Sequence, residues 1–247
     1  MFGSAVVYSG LAVVASGVVL MLKPRWRRLA TTRRRGLTVA AIGWALVVIG
    51  LMLRAPEFRV HAAATRLDEF VPAWQFREIH TRSVAAPPAR VFESLKRVTA
   101  DDIALFNMLT WIRRGGRAAP ESILNAGGAG APIIDVATRS GFVRLAEDAP
   151  RELVIGTVVV APYGTTRAVT PEIFKKAMPP GFALAAMNFL VTPDGAGGSV
   201  ISTETRVFAT STGARRRFAR YWRVIYPGSA IIRRMWLRAV ERRAMAG

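Results

Sequence analysis

Two long uncharged stretches open the chain and restrict what its N-terminal part can be. Residues 2–22 and residues 36–53 contain no Asp, Glu, Lys or Arg, and seven cations lie between them, at Lys23, Arg25, Arg27, Arg28, Arg33, Arg34 and Arg35. At a rise of about 1.5 Å per residue, each stretch is long enough, or nearly so, to cross about 30 Å of hydrocarbon as a helix. The sequence therefore predicts a transmembrane helical hairpin over residues 1–53, with a basic loop at 23–35.

Glycine spacing gives independent support for the hairpin. Glycine recurs every seventh residue in both stretches, at Gly3, Gly10, Gly17, Gly36, Gly43 and Gly50. Seven residues make nearly two helical turns, so the glycines of each stretch share one face. Because small residues let helices approach closely inside lipid, we expect antiparallel packing on these faces. A cleaved signal peptide is the alternative for the first stretch, but it needs a basic segment in front, where only Met1 stands.

The charge distribution predicts an orientation in the membrane. Basic residues in short loops are retained on the cytoplasmic side, and the loop at 23–35 is such a loop. This predicts a multi-pass membrane protein whose C-terminal domain is extracytoplasmic. Arg54, Arg59 and Arg66 follow the second stretch, so a cytoplasmic domain with an inefficient first span is the alternative.

The rest of the chain divides into a short polar tether, residues 54–70, and one α+β domain, residues 71–247. Strands are predicted at 75–84, 142–147, 151–160, 182–192 and 199–209. The last four form two pairs joined by turns rich in Pro or Gly, which is typical of β-hairpins and implies an antiparallel sheet. Helices are predicted from Pro88 and, after the capping pair Thr99 and Asp102, over 100–113.

A long amphipathic helix is predicted over residues 214–244. At about 100° per residue, an inner stripe lies within about 40° of Phe218 and comprises Phe218, Trp222, Ile225, Ser229, Ile232 and Trp236. Pro227 falls on the opposite side, so the stripe keeps its phase and we predict one kinked helix rather than two. An aromatic stripe of this length needs a sheet to cover it.

Composition excludes several kinds of site. The chain has no Cys and 2 His, which excludes disulfides and thiolate-bound metals and leaves no ligand set for a structural zinc. Neither a phosphate-binding loop nor a dinucleotide fingerprint occurs, so we expect no metal and no cofactor. The formal net charge is +19 at pH 7, but no nucleic-acid recognition motif accompanies it, and nucleic acid is not an expected partner.

Three segments carry a resemblance to a known superfamily: SVAAPPARVFESL at 83–95, FVRLAEDAPRELVIGTV at 142–158, and the stretch 202–239. A strand leading into an Ala-Pro-Pro turn and a helix, then a strand meander and a long last helix, resembles the helix-grip fold of the SRPBCC superfamily. That superfamily includes START domains, Bet v 1-type proteins and polyketide cyclase/dehydrase-like proteins, and the last segment resembles an actinobacterial branch of it.

This resemblance covers about residues 74–244 and leaves out the hairpin. It implies a curved antiparallel sheet that grips the last helix, with an apolar cavity for lipids, sterols or polyketides between them. The hairpin is a departure from the mostly soluble members, and it favours a ligand that comes from the bilayer.

Two pairs of alternate strand residues are candidates for chemistry. Glu78 could orient His80 as a general base on one strand face; the alternative is a structural or exposed histidine beside a glutamate. Glu204 and Arg206 could hold a polar ligand head inside the cavity, and the alternative is an ion pair on the convex face of the sheet.

The predicted ligand wall is mostly apolar. It comprises Phe92, Phe106, Trp111, Asn188, Phe189, Thr203, Thr205, Phe218, Trp222, Ile225 and Trp236. Its alternative is a fully packed core without a cavity. Arginines on the far side of the last helix are predicted to face anionic lipid headgroups, each contributing about 1 kcal/mol, with a merely solvated face as the alternative: Arg216, Arg220, Arg223, Arg234 and Arg238.

Together these features predict a membrane-anchored domain that binds, presents or carries a hydrophobic small molecule or lipid, with the bilayer as a further partner. An enzyme of cyclase, dehydratase or hydrolase type that uses His80 and Glu78 is the first alternative. A scaffold of the cell envelope with a filled core is the second. The sequence favours binding over catalysis.

Overall fold

The structure, a computed structural model, describes residues 2–22, 33–118, 120–126, 130–165 and 169–246. It contains two compact units, one comprising Met1–Pro56 with Ala219–Val224 and the other comprising Glu57–Phe218 with Ile225–Gly247. Most of the predicted basic loop, residues 23–32, lies outside the described residues.

The first unit is built on two apolar helices, α1 (Phe2–Leu22) and α2 (Arg33–Met52). The apolar segments Gly3–Leu22 and Arg33–Met52 have 20 residues each, which corresponds to about 30 Å of helix. Both helices are therefore long and apolar enough to span a membrane. Helix α2 begins at Arg33 rather than at Gly36, because arginine is a good helix former.

The two helices pack on their glycine faces. A Cβ atom on Gly10 would lie 2.8 Å from the carbonyl oxygen of Gly43, and one on Gly17 would lie 2.8 Å from the carbonyl oxygen of Gly36. These distances leave no room for a side chain, so glycine is what permits the close approach. Contacts that move forward along α1 move backward along α2, so the helices are antiparallel. The predicted packing on glycine faces is confirmed.

Arg223 makes the main polar contacts of this unit. Its guanidinium donates to the backbone carbonyls of Leu51, at 2.8 Å, and Leu53, at 2.6 Å. Carbonyls at the C-terminal end of a helix have no helical partner, and Arg223 supplies one for α2. Arg223 is only 4% exposed. It therefore does not lie on the headgroup-facing surface predicted for it, because these carbonyls draw its side chain inward.

Tyr8 makes a second polar contact in the same unit. The hydroxyl of Tyr8 donates a hydrogen bond to the backbone carbonyl of Arg223. In an uninterrupted helix that carbonyl would accept from the residue four positions on, which is Pro227 and has no N–H. Tyr8 thus satisfies the acceptor that the proline leaves without a helical partner.

The second unit contains two sheets. Its strands are β1 (Phe58–Arg59), β2 (Ala73–Trp74), β3 (Phe76–Val84), β4 (Val143–Asp148), β5 (Glu152–Val160), β6 (Ala183–Pro193) and β7 (Ser199–Ala209). Strands β3 to β7 form one antiparallel five-stranded sheet in the order β3-β7-β6-β5-β4. The two predicted hairpins, β4–β5 and β6–β7, are confirmed. The short pair β1–β2 was not predicted.

Six further helices complete the described chain: α3 (Arg66–Phe70), α4 (Pro88–Arg97), α5 (Phe106–Arg113), α6 (Ile133–Arg139), α7 (Glu172–Lys175) and α8 (Thr212–Ala246). Helix α4 begins at Pro88 as predicted. The pair Thr99 and Asp102 also forms, with the backbone nitrogen of Thr99 2.7 Å from the Asp102 carboxylate. The helix predicted over 100–113 nevertheless begins at Phe106, because the positive φ of Leu105, 64°, interrupts it.

The five-stranded sheet is covered on both faces. Its inner face, defined here as the face toward α8, contributes Phe189 and Ile201 to one buried cluster with Trp236. Its outer face contributes Val154 to a second cluster with Leu67 of α3. The segment predicted as a polar tether, 54–70, is therefore corrected from Glu57 onward: it packs on the outer face and belongs to the domain.

Helix α8 follows the predicted amphipathic pattern. It is one helix from Thr212 to Ala246 with Pro227 inside it, and Phe218, Trp222 and Trp236 are at most 6% exposed. Pro227 is exposed, so the buried stripe keeps its phase past the proline; the predicted kink stays a prediction. The chain is thus α+β, with two apolar N-terminal helices, an antiparallel sheet and a long C-terminal helix.

Candidate functional site

Alternate residues of three strands line the centre of the inner face. The strand register places Glu78 opposite Thr205 and His80 opposite Thr203. Thr203 also lies opposite Phe189 of β6. The Phe189 ring packs against the Trp236 ring of α8, with 4.8 Å between their centroids. Polar residues of β3 and β7 therefore lie beside the aromatic contact between sheet and helix.

Glu78 is the buried centre of a hydrogen-bonded group on this face. It is 2% exposed, and one carboxylate oxygen lies 2.9 Å from Nε2 of His80. The other oxygen accepts a hydrogen bond from the Ser229 hydroxyl of α8 at 2.8 Å. Glu78 and His80 do share a strand face, as predicted, and both oxygens of the carboxylate have a partner.

Arg234 fixes the tautomer of His80. Its Nε donates to Nδ1 of the imidazole at 3.4 Å, so Nδ1 accepts and Nε2 carries the hydrogen that points to Glu78. Ser229 donates to the carboxylate and not to the imidazole. Each nitrogen of the imidazole therefore has a contact, Nε2 with Glu78 and Nδ1 with Arg234.

Three buried polar atoms near this group have no hydrogen-bond partner among the described residues: Oγ1 of Thr203, Nη1 of Arg233 and Nε1 of Trp236. Thr203 is 1% and Trp236 2% exposed, and the Arg233 guanidinium carbon lies 5.8 Å from the centroid of the Trp236 ring. A buried polar atom left unpaired costs about 1–3 kcal/mol. Such an atom gains free energy when a polar group or a water molecule pairs with it.

Arg233 brings a positive charge to this place. Burial lowers the pKa of Arg233 to about 10, and the nearby carboxylate of Glu78 partly offsets that effect. The guanidinium therefore stays protonated at neutral pH. One oxygen of Glu78 bonds to His80 and the other to Ser229. The carboxylate therefore balances the charge of Arg233 electrostatically, without a direct hydrogen bond to it.

Much of the predicted ligand wall lies in the core. Phe92, Phe106, Phe189 and Trp236 belong to the inner buried cluster. Phe218 is buried and packs edge-on against Phe76, with 4.9 Å between ring centroids.

The remaining predicted wall residues lie elsewhere or only partly inside. Thr205 is buried on the inner face, whereas Ile225 is half-buried. Trp222 is buried but belongs to the first unit. Trp111 is 55% exposed and does not line the core, because the helix predicted over 100–113 begins late and turns this ring outward.

Asn188 requires a correction. Its Nδ2 donates to Glu152 at 2.6 Å and its Oδ1 accepts from the backbone nitrogen of Glu204 at 3.0 Å. It lies on the outer face, because neighbouring strand residues point to opposite faces and Phe189 points inward. Asn188 thus ties strands together and is not part of the inner wall.

Glu204 and Arg206 also lie on the outer face, inside a buried ion-pair network. Arg206 donates to Glu204 and to Asp68, both at 2.6 Å, and Arg77 donates to Glu204 at 2.7 Å. The Arg206 guanidinium lies 4.2 Å from the centroid of the Trp74 ring. The pair connects the sheet to the segment that covers it, which is the alternative proposed from the sequence, and it does not reach the inner face.

Asp68 is the carboxylate that this network stabilises most clearly. Burial alone would raise the pKa of Asp68, but hydrogen bonds from the Ala64 backbone, from Arg206 and from Thr65 outweigh that effect and lower it. Asp68 is therefore ionised at neutral pH and holds its positive partner within the covered outer face.

The other predicted headgroup-facing arginines, Arg216, Arg220, Arg234 and Arg238, are exposed. Arg234 and Arg238 line an open groove of about 330 Å³ at the edge strand β3, together with His80 and Arg82. Arg82 is neutralised there by Glu241 of α8 at 2.5 Å.

Sequence reasoning missed two residues of the inner group, Ser229 and Arg233. Ser229 was placed on the inner stripe but not considered for the site. Arg233 lies only about 60° from the centre of that stripe at 100° per residue, whereas the arginines selected from the sequence lie on the far side. The position of Arg233 at the edge of the inner stripe is the sequence feature that distinguishes it from the other cations of α8.

Comparison with known proteins gives little support. Neither a protein-family model nor a curated protein matches the chain. A crystal structure of TTHA0849 from Thermus thermophilus is 13% identical, with the match covering 69% of this chain and 98% of that chain at a TM-score of 0.27. A crystal structure of Ara h 8.0201 is 14% identical, with 70% and 99% covered at a TM-score of 0.24. Similarities at this level carry no statement about function.

Proposed function

We propose that this chain is a membrane-anchored binding or carrier domain for a hydrophobic small molecule or lipid, held between the inner face of the sheet and α8. The observation that carries the proposal is the pair of buried polar atoms on Thr203 and Trp236, which have no partner in the described part of the chain and lie within an aromatic and aliphatic cluster. A mostly apolar molecule with a polar end suits such surroundings, because it buries apolar surface and pairs these atoms at once.

The magnitude of the expected binding is set by apolar burial. At about 25 cal/mol per Å², burying about 300 Å² of ligand surface contributes about 7 kcal/mol before the costs of association. The order of the elements supports the same proposal: a strand, an Ala-Pro-Pro turn into α4, two hairpins and a long last helix resemble the helix-grip fold of the SRPBCC superfamily, in which ligands bind between sheet and helix.

The N-terminal helices extend the proposal to the membrane. Helices α1 and α2 are long and apolar enough to cross a bilayer, and their glycine faces suit packing in lipid. We place the hairpin in a bacterial cell membrane, with the C-terminal domain outside the cytoplasm. An anchored domain of this kind would draw its ligand from the adjacent bilayer.

Native mass spectrometry of the detergent-purified chain tests the binding function. We expect a bound apolar molecule that survives gentle ionisation. Thr203→Phe should reduce its occupancy by filling the inner face, whereas Thr81→Phe should not, because Thr81 is exposed on the neighbouring strand β3. Circular dichroism checks that both variants fold. The bare mass of the wild-type chain, or a ligand retained by a folded Thr203→Phe variant, would contradict the proposal and favour a scaffold with a filled core.

A further inference from the structure

The buried polar atoms of the inner face specify what kind of group they can bind. An indole N–H and a guanidinium N–H can only donate hydrogen bonds, and a threonine hydroxyl can donate or accept. The atoms concerned belong to Trp236, Arg233 and Thr203, and none of them has a hydrogen-bond partner within the described ranges. Since two of the three are donors only, the partner that satisfies them must offer an acceptor. The three side chains are neighbours: Thr203 lies opposite Phe189, whose ring packs against Trp236, and the Arg233 guanidinium lies 5.8 Å from the Trp236 ring.

The charges around this position favour an acceptor with a negative charge. Arg233 and Arg234 bring two cations close to it: Glu78 acts electrostatically on Arg233, and Arg234 contacts His80. Glu78 is the carboxylate of the group, and its oxygens already accept from His80 and Ser229. The local balance is therefore positive.

The burial of the position favours an anion with a single charge. Thr203 and Trp236 are 1% and 2% exposed, so whatever binds them is removed from water. A carboxylate carries a single charge, which the guanidinium of Arg233 can balance through a charge-assisted hydrogen bond. A phosphate dianion would bring a second charge into the same buried position, where an unbalanced charge is costly.

We propose that the ligand is an amphiphile with a long apolar chain and a carboxylate, and that Arg233, Trp236 and Thr203 bind the carboxylate between the inner face and α8. This inference rests on the binding function proposed above and names its ligand class. The apolar chain lies against the aromatic cluster around Phe189. The carboxylate loses its hydrogen bonds to water and gains three hydrogen bonds from the protein in their place.

Competition between ligands that differ only in the head tests this inference. The full chain is placed in phosphatidylcholine nanodiscs with Nile red as a neutral fluorescent probe, and empty nanodiscs supply the background. Palmitate, hexadecanol, hexadecylamine and hexadecyl phosphate then compete at about pH 8, where the carboxylate is ionised. We expect palmitate to displace Nile red at a concentration about tenfold or more below that of hexadecanol, as a charge-assisted hydrogen bond implies.

Variants assign the preference to the named residues. Arg233→Met should abolish the advantage of palmitate over hexadecanol, and Trp236→Phe and Thr203→Val should each reduce it while keeping the shape of the side chain. Arg238→Met, an exposed arginine on the same helix, is the matched control and should keep the full advantage. The preference should persist in about 1 M salt, where the Debye length is about 3 Å and exposed charges are screened.

Each outcome decides between the two proposals. If Nile red binds no better than to empty nanodiscs and no competitor binds, the binding function itself is wrong. If the probe binds but palmitate and hexadecanol compete equally, or the amine or the phosphate competes best, the binding function stands and the carboxylate assignment is overturned. Equal losses in Arg233→Met and Arg238→Met would also overturn it, because they would indicate attraction by the overall surface charge. If Arg233→Met does not fold, Trp236→Phe and Thr203→Val decide.

Discussion

At the scale of single residues, the outer face of the sheet contains more of the charge chemistry than the sequence suggested. Asp68, Glu204 and Arg206 are all buried, and their hydrogen bonds connect α3 to β7 across the covered face. Removing one partner from a buried pair is strongly destabilising, because it leaves the other charge without compensation. The stability of the domain therefore depends on residues on the face opposite the inner site.

Asp68→Asn should lower the free energy of unfolding by about 3 kcal/mol at neutral pH. The folded-state pKa of Asp68 lies below its ordinary value of 3.8, so its contribution is present above that value and is lost as the pH falls through the folded-state pKa. The difference between wild type and variant should therefore shrink below about pH 4. Denaturant unfolding of the full chain in detergent, followed across pH, measures it.

Asp148→Asn is the matched control for that experiment. Asp148 is exposed and lies 3.9 Å from Arg151, so its removal should change the free energy of unfolding by less than about 1 kcal/mol. Equal effects of the two substitutions, or a loss for Asp68→Asn that stays constant down to low pH, would show that the network is not the source of the stability.

Residue spacing predicted which side chains share a face but not what covers that face. Glu78 with His80, and Glu204 with Arg206, share strand faces as the alternation of strand residues requires. Which of these faces is the inner one follows only from tertiary packing, and here both sides are covered. Asn188 was misplaced for this reason, since its neighbour Phe189 already occupied the inner side.

At the scale of elements, the hairpin of the first unit depends on close contact between two backbones. Replacing Gly10 by leucine would put a side chain where a Cβ atom already lies 2.8 Å from the carbonyl oxygen of Gly43. We expect the helices to separate at that level. Ala12→Leu, at an exposed position of the same helix, adds a similar volume and should be tolerated.

Disulfide cross-linking in the membrane measures this effect. The chain has no Cys, so a Val7→Cys/Gly50→Cys pair supplies the only thiols, at positions where a Cβ atom on Gly50 would lie 2.8 Å from the Val7 side chain. Cross-linking should be efficient in this background, fall several-fold with Gly10→Leu and persist with Ala12→Leu. Unchanged cross-linking in the leucine variant at position 10 would contradict the glycine contact.

The proline of α8 and the tyrosine of α1 should be energetically coupled. Tyr8→Phe removes the hydroxyl that bonds the Arg223 carbonyl and should cost about 1 kcal/mol. In a Pro227→Ala background the alanine N–H can bond that carbonyl, so the loss should largely disappear. A double-mutant cycle on the thermal or denaturant stability of the full chain isolates the coupling. Additive effects of the two substitutions would show that Tyr8 does not replace the missing helical bond.

Periodicity located the elements well and their ends less well. The two hairpins and α8 were predicted closely, because long alternating or amphipathic patterns leave few interpretations. The start of α5 was misjudged because the capping pair at Thr99 forms without a helix following it directly. The left-handed backbone of Leu105 decides that boundary, and leucine gives no warning of such a conformation.

At the scale of the whole molecule, the distribution of charge along the sequence predicts an orientation in the membrane. The positions of the helices and strands do not predict one. With seven cations between the two apolar stretches, the loop at 23–35 should stay in the cytoplasm. An alkaline phosphatase fused after Gly247 should therefore be active, and a reporter that works only in the cytoplasm should be inactive. Replacing the loop cations by glutamine should weaken this preference. The reverse reporter pattern in the unaltered chain would place the domain inside.

The composition of residues 54–70, at the boundary between the two units, predicted a tether where the chain is mostly part of the domain. The stretch 54–70 has charged residues throughout and no long apolar run, which is typical of a tether. Only folding shows that Leu67 and Phe70 are buried and that Asp68 pairs with a guanidinium on β7. Such a pattern is too short and too irregular for periodicity to detect.

The cover on the outer face also determines where a protease could cut the chain without exposing the sheet. Proteolysis just before Glu57 would leave β1, α3 and their charges in place. A cut only fourteen residues later, after Phe70, would leave Arg206 without Asp68 and would expose apolar side chains of the outer face to water. A protease-resistant fragment should therefore begin near Glu57, and fragments that start beyond α3 should be rapidly degraded.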